Sequence, residues 1–271
     1  MAETVTPAAR PPGEGRAIVL IPARLASTRL PGKPLADIAG LPMIVHVWRR
    51  AVEAGVGPVV VAAAEAEIVE AVMAAGGQAV LTAPDHPSGS DRIYEALTVL
   101  DRHARYPAIV NVQGDLPTLD PAVIRAALDA LDPPAEGQPG WSPETPKAAD
   151  MATVVADLGP GEGETPHVVK ALVPKMDAAG LGRATDFVRR LPRVPETPAF
   201  HHIGLYAYRR PALIRFVGLP PSEREKSEKL EQLRALEDGM TINAAHVDTV
   251  PLGVDTPADL ERARASLARP A

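Results

Sequence analysis

The sequence predicts an α/β protein with a mostly parallel central sheet, helices on both faces and a smaller inserted lobe. Three observations predict it. Short apolar runs recur without polar alternation, as strands buried on both faces require. These runs alternate with helical stretches, the βαβ pattern of a parallel sheet. A segment at residues 132–150, rich in proline and glycine, then breaks the rhythm, and a less regular half follows.

Residues 1–15 read as a disordered tail, since Pro7, Pro11, Pro12, Gly13 and Gly15 leave nothing to pack. The first strand is Ala17-Ile18-Val19-Leu20-Ile21, closed by Pro22. Pro42 stands where a first helical residue would. Met43, Ile44, Val47, Trp48 and Ala51 follow at helical spacing, and Gly55 ends the helix. Residues 59–61 form the next strand, and 65–75 a helix stopped by Gly76-Gly77. A strand at 79–81, a helix at 88–103, a strand at 108–112 and a helix at 121–131 continue the alternation. After the break come strands at 152–156, 168–173 and 203–208, then helices at 211–217 and 227–238. A strand at 241–247 and a helix at 256–267 finish the chain. The expected organisation is one domain over residues 16–271, with a lobe around 165–240.

Composition narrows the function. The chain of 271 residues carries 34 Asp plus Glu against 28 Lys plus Arg, a net charge of −6. Nucleic acid and anionic membranes call for a basic excess, so neither is an expected partner. Two Trp, four Tyr and three Phe are too few for a base-stacking surface. The absence of Cys excludes a disulfide scaffold, thiol catalysis and Cys-ligated zinc, and it fits the reducing cytoplasm. No apolar run approaches the length of a membrane span, and the N-terminus lacks the apolar core of a secretory signal.

The strongest local signal is an inversion of that charge. Residues 15–36 contain Arg16, Arg24, Arg29 and Lys33 and no acid. The loop follows a buried strand, where open α/β sheets place their ligands. Guanidinium forks match phosphate oxygens, and a lysine adds a point charge, so the loop suits a polyphosphate. It is not a Walker loop, because Ser27 replaces the first glycine of that pattern, and no G-x-G-x-x-G follows a strand. A solvated basic loop stiffened by prolines is the alternative.

Asp115, in Asn111-Val112-Gln113-Gly114-Asp115-Leu116-Pro117, lies just past a buried strand, where Gly114 allows a close approach to ligand. Mg²⁺ is commonly held by one or two carboxylates plus substrate phosphates; a turn aspartate would look the same. In Gly253-Val254-Asp255-Thr256-Pro257-Ala258-Asp259, Thr256, Pro257 and Asp259 already account for a helix start, which leaves Asp255 as a second carboxylate or an ordinary loop residue. Asp85-His86-Pro87-Ser88-Gly89-Ser90-Asp91-Arg92 opens a helix and is either an anion cradle or a simple cap. His201 and His202 point to opposite faces of a strand and make a poor chelate pair. Lys229-Leu230-Glu231-Gln232-Leu233-Arg234 sits on an amphipathic helix that a solvated face would also explain.

Together these motifs resemble the 3-deoxy-manno-octulosonate (KDO) cytidylyltransferases, from about Ala17 to Arg264. The resemblance rests on IPARLASTRLPGKPL, HPSGSDR, NVQGDLP, HHIGLY, EKLEQLRAL and GVDTPADLERAR, in family order. It implies a Rossmann-like nucleotidyltransferase fold. The implied reaction is attack of the KDO 2-hydroxyl on the α-phosphorus of CTP, releasing pyrophosphate and supplying CMP-KDO for lipopolysaccharide. By the same resemblance, Arg24, Arg29 and Lys33 hold the triphosphate, and Pro22, Ala23, Ser90 and Arg92 line the cytidine side. Arg24, Lys33, Asp115 and Asp255 are then the catalytic set, with Asp115 and Asp255 binding Mg²⁺. Gln113, Arg183, His202, Tyr206, Glu231 and Gln232 are implied to contact KDO, and a homodimer is implied as the assembly. Leu116 stands where the family often has an acid, and residues 186–190 depart from its usual pattern. Transfer to 8-amino-KDO or a sialic-acid-like sugar is the nearest alternative, and a CTP-binding scaffold on the same fold is the other.

Overall fold

A computed structural model describes residues 16–27, 29–191 and 196–268. The expected tail at 1–15 lies outside the described residues. The chain divides into two compact units: one runs to Ile124 and resumes at Pro251, and the other is Arg125–Val250. The second unit takes in the expected lobe at 165–240 and also residues 125–164.

In the first unit, β1 (Ala17–Ala23) leads through a 3-10 turn (Lys33–Leu35) to a small hairpin of β2 (Asp37–Ile38) and β3 (Leu41–Pro42). Ala39 and Gly40 make its turn in the left-handed region, at φ 51 and 82. Then come α1 (Met43–Glu53), β4 (Val59–Ala63), α2 (Ala66–Ala74), β5 (Gln78–Leu81), α3 (Gly89–Leu100) and β6 (Ala108–Asn111). The strands pair in the order β5-β4-β1-β6, all parallel. β4 and β6 are buried at every position, as continuous apolar runs demand. The expected β1 ends at Pro22 only in part: the strand runs on to Ala23, pairing with Ala63. Pro42 caps α1 from outside the helix instead of starting it.

The strand order has one consequence for function. β1 is followed by a crossover to β4 on one side, whereas the crossover through α3 returns to β6 on the other. The carboxyl ends of β1 and β6 therefore flank a point where chain direction switches, the place where open sheets leave a crevice.

The chain passes along α4 (Pro121–Asp129) into the second unit. There a mixed sheet forms from β7 (Met151–Ala156), β8 (Lys170–Leu172), β9 (Leu181–Ala184), β10 (Asp186–Val188) and β11 (Ala199–Arg209). Helices α5 (Arg210–Gly218), α6 (Glu223–Glu228) and α7 (Gln232–Glu237) precede β12 (Ile242–His246). β7 is central, antiparallel to β11 and parallel to β12, with β9 beyond β12. β8 pairs the start of β11, and β10 pairs β8. The register of β11 against β7 shifts between Ile203 and Tyr206. The helix expected at 227–238 is two helices: Lys229 takes φ 55 and ends α6. The Arg189 guanidinium donates to the carbonyls of Glu228 and Lys229, a long-range contact that stabilises the break.

Finally α8 (Pro257–Leu267) returns to the first unit. Leu260 and Ala263 join Val254, Ile38 and Met43 in one apolar cluster, with Leu30 and Ala36 packed against it. Burying these side chains clamps the segment around 254 onto the hairpin and the basic loop. Among the described residues no helix is long and apolar enough to cross a membrane.

Candidate active site

The site builds from the ends of β1 and β6. Past β1 the chain makes the basic loop, and two bonds pin its backbone. Leu25 N–H donates to Glu65 Oε2 at 2.9 Å, and Gly32 N–H donates to the Leu25 carbonyl at 3.1 Å. Gly32 adopts φ 69, a left-handed turn that opens the 3-10 segment carrying Lys33. Past β6, Gly114 lets the chain pass close to β1. A Cβ there would lie 2.8 Å from the Pro22 carbonyl oxygen. The neighbouring strand thus requires the glycine, which also lines the cleft.

A third segment completes the centre. Val254 N–H donates to the Asp115 carbonyl at 2.9 Å, which fixes Asp255 beside Asp115. The start of α8 is capped as its sequence implies. Thr256 accepts from Asp259 N–H, while Asp259 Oδ2 accepts from the backbone of Thr256 and of Asp255. Burial would raise the Asp259 pKa, but hydrogen bonds from Arg262, Thr256 and those amides hold it down to about 2. Asp255 contributes only its amide to this cap, so its carboxylate remains available.

That carboxylate meets the basic loop. Lys33 Nζ donates to Asp115 Oδ2 at 2.8 Å and to Asp255 Oδ1 at 3.1 Å, and Arg29 Nη2 lies 3.0 Å from Asp255 Oδ2. The Lys33 side chain is 15% exposed, Asp115 30% and Asp255 47%. Burial alone would lower the Lys33 pKa. The charge of Asp115 and its hydrogen bond, followed by those of Asp255, overturn that and hold it above 10.5. Among the described residues no three His, Asp or Glu side chains gather as a metal cage. Two carboxylates sharing one space, open to further oxygen ligands, are the donor set that Mg²⁺ uses alongside phosphates.

These groups face a cleft of about 770 Å³. Pro22, Ala23, Arg24, Arg29 and Lys33 all line it, as do Gln113, Asp115 and Asp255. Ser88 and Gly89 line its far side, whereas the expected Ser90 is buried in the first turn of α3. Arg92 also borders the cleft but is only 2% exposed. Its guanidinium donates to Thr82 Oγ1 at 2.7 Å, to the Ala83 carbonyl at 2.8 Å and to the Pro84 carbonyl at 3.2 Å. Arg92 therefore braces the wall; burial lowers its pKa. His86 precedes the start of α3, in a stretch whose sequence gives it no separate role. It lines the cleft, in contact with the carboxylate of Glu95. Burial would raise the Glu95 pKa, but His86 and the amide of Ala83 hold it below its usual value.

The remaining predicted residues lie in the second unit. His202 and Tyr206 form a buried pair on β11, with Tyr206 Oη 3.0 Å and Thr153 Oγ1 3.1 Å from His202 Nε2. Burial, then the neighbouring His201, pushes the His202 pKa down to about 3, so the ring is neutral. Burial, Tyr208 and Glu231 raise the Tyr206 pKa. Gln232 is buried with its amide nitrogen unpaired, and Glu231 is more open. Arg183, on β9 opposite Asn243, donates from Nη2 to the Lys147 carbonyl at 2.9 Å, while its buried Nη1 has no partner among the described residues. His201 faces away and meets Glu162, as the strand alternation predicted.

A family model described as cytidylyltransferase matches residues 18–242. A 3-deoxy-manno-octulosonate cytidylyltransferase of Paramagnetospirillum magneticum is 59% identical over 251 residues, 92% of this chain and 97% of that protein. A protein of the same description from Parvibaculum lavamentivorans is 59% identical over 270 residues, 99% of each chain. Among solved structures, CMP:2-keto-3-deoxy-manno-octonic acid synthetase complexed with CTP is similar at TM-score 0.78. It shares 37% identity and covers 93% of this chain and 98% of that one.

Proposed function

The chain belongs to the cytidylyltransferase family, and from that premise we propose how its cleft transfers CMP from CTP to the 2-hydroxyl of KDO. The product is CMP-KDO, a precursor of lipopolysaccharide, and pyrophosphate leaves. The observation that carries this reading is the convergence at the switch point of β1 and β6. Arg24, Arg29 and Lys33 line one cleft with Asp115 and Asp255. A polyphosphate needs the cations, and a bound hard metal needs the carboxylates.

In this mechanism the cations of the basic loop hold the triphosphate and stabilise charge on the departing pyrophosphate. The walls made by Pro22, Ala23, Ser88 and Gly89 support the nucleoside. Asp115 and Asp255 would hold Mg²⁺, which would supply Lewis acidity at the phosphoryl group and ease loss of the sugar proton. In the attack the 2-hydroxyl oxygen bonds to the α-phosphorus and releases its proton to solvent as the bond to the pyrophosphate oxygen breaks. The neutral His202 and un-ionised Tyr206 offer hydrogen bonds without charge, which supports a role in orienting a polyol. Gln113, Arg183, Glu231 and Gln232 belong to the same proposed sugar contacts, as does a cytoplasmic homodimer to the proposed working state.

Pyrophosphate release with CTP, Mg²⁺ and each sugar acid tests the reading. Turnover is expected with KDO and not with a sialic acid. CTP binding without pyrophosphate release on KDO, 8-amino-KDO or sialic acid would overturn it in favour of a scaffold.

A further inference from the structure

Lys33 does more in this arrangement than wait for phosphate. Two of its ammonium donors are already spent, one on each carboxylate of the proposed metal site, at 2.8 and 3.1 Å. Its backbone is held by the left-handed Gly32, the buried Pro34 and the bond from Met43 N–H to the Ala36 carbonyl, so only the side-chain stem is free to relocate. The competing cation, Arg29, is 60% exposed and, among the described residues, pairs with Asp255, where such an ion pair contributes little. A divalent ion held by Asp115 and Asp255 would compete for oxygens that the ammonium already contacts at 2.8 and 3.1 Å. Like charges at that range exclude each other.

We propose that Lys33 is an internal counter-ion that closes Asp115 and Asp255 to a divalent cation until nucleotide arrives. The inference rests on reading the two aspartates as metal ligands. A triphosphate in the cleft offers Lys33 a denser anion than either carboxylate, and the flexible stem lets it transfer. Its departure frees both carboxylates at the moment the phosphates add their own oxygen ligands. Nucleotide and metal then bind as a coupled pair. By reciprocity, whatever factor CTP adds to metal affinity, metal adds to CTP affinity.

The test is binding of Mn²⁺ alone, followed by its paramagnetic resonance signal, with no sugar present and hence no turnover. Wild-type protein without nucleotide is expected to bind Mn²⁺ weakly, and to tighten when CTP is added. Lys33→Met removes the counter-ion and is expected to bind Mn²⁺ without nucleotide at least about tenfold tighter, within the usual range of coupling between sites. The same variant binds CTP more weakly, and Lys33→Arg stays as weak toward Mn²⁺ as wild type. Adding Asp255→Asn to Lys33→Met is expected to abolish the gain. Lys33→Gln, read the same way, serves if the methionine variant does not fold. Unchanged Mn²⁺ affinity in a folded neutral variant would overturn the proposal, as would nucleotide-free wild type that binds Mn²⁺ as tightly as its CTP complex. The metal reading fails on a different measurement, if Asp115→Asn and Asp255→Asn keep full Mg²⁺-dependent pyrophosphate release.

Discussion

Asp115 and Asp255 share one ammonium, with Arg29 also on Asp255, while the backbone of each makes the structural bonds. Asp115→Asn is therefore expected to leave the fold intact, by circular dichroism, while lowering turnover about 100-fold or more, the scale of losing one preorganised transition-state contact. His202 carries a second consequence at this scale. Its folded pKa of about 3 lies below the ordinary 6.5, so the unfolded chain takes up the proton first. Stability from this group is present above pH 6.5 and is lost as pH falls toward 3, by up to ~1.4 kcal/mol per unit. Denaturant titrations at stepwise pH should show this slope in wild type and a shallower one in His202→Gln. The two aspartates and the basic loop were legible as sequence because an acid-free window in an acidic chain and a helix start with a spare carboxylate are both local patterns. The burial of Ser90 and the bracing bonds of Arg92 were not. The α3 start that puts Ser88 and Gly89 on the cleft, and the three oxygens that occupy Arg92, depend on how the strand ends meet.

Elements differ in how openly their sequences declare them. β1 and β4 are apolar throughout, and β6 up to its last residue Asn111, because both faces are covered, and they read directly. β9 and β10 carry Arg183 and Asp186 within three or four residues, too short for either period to emerge. The break between α6 and α7 has the same character: Glu228 and Lys229 have ordinary helix propensity, and the carbonyl partner comes from Arg189, 39 and 40 residues away. The start of α8 was legible because its cap is self-contained. Thr256→Ala should cost about 1 kcal/mol, a melting shift of about 2–4 °C, and Thr256→Ser should restore most of it. Gly114→Ala tests packing between elements. The Pro22 oxygen at 2.8 Å cannot yield without moving β1, so about 1–3 kcal/mol should be lost in urea unfolding.

At the scale of the molecule, the first unit is interrupted: the chain leaves it at Ile124 and resumes it at Pro251. The returning segment supplies Val254, Leu260 and Ala263 to the cluster around Ile38 and Met43. A chain cut after Val250 is expected to expose that cluster, bind the apolar dye ANS and lose its cooperative melt. Lys33 finds one aspartate 82 residues downstream and the other 222 residues downstream. The order of synthesis therefore matters. A nascent chain that has emerged past Asp115 already displays the cationic loop, but half of its acidic counterpart has yet to be translated. The acidic half of the cleft is therefore complete only once Asp255 has been made, 222 residues after the lysine it faces.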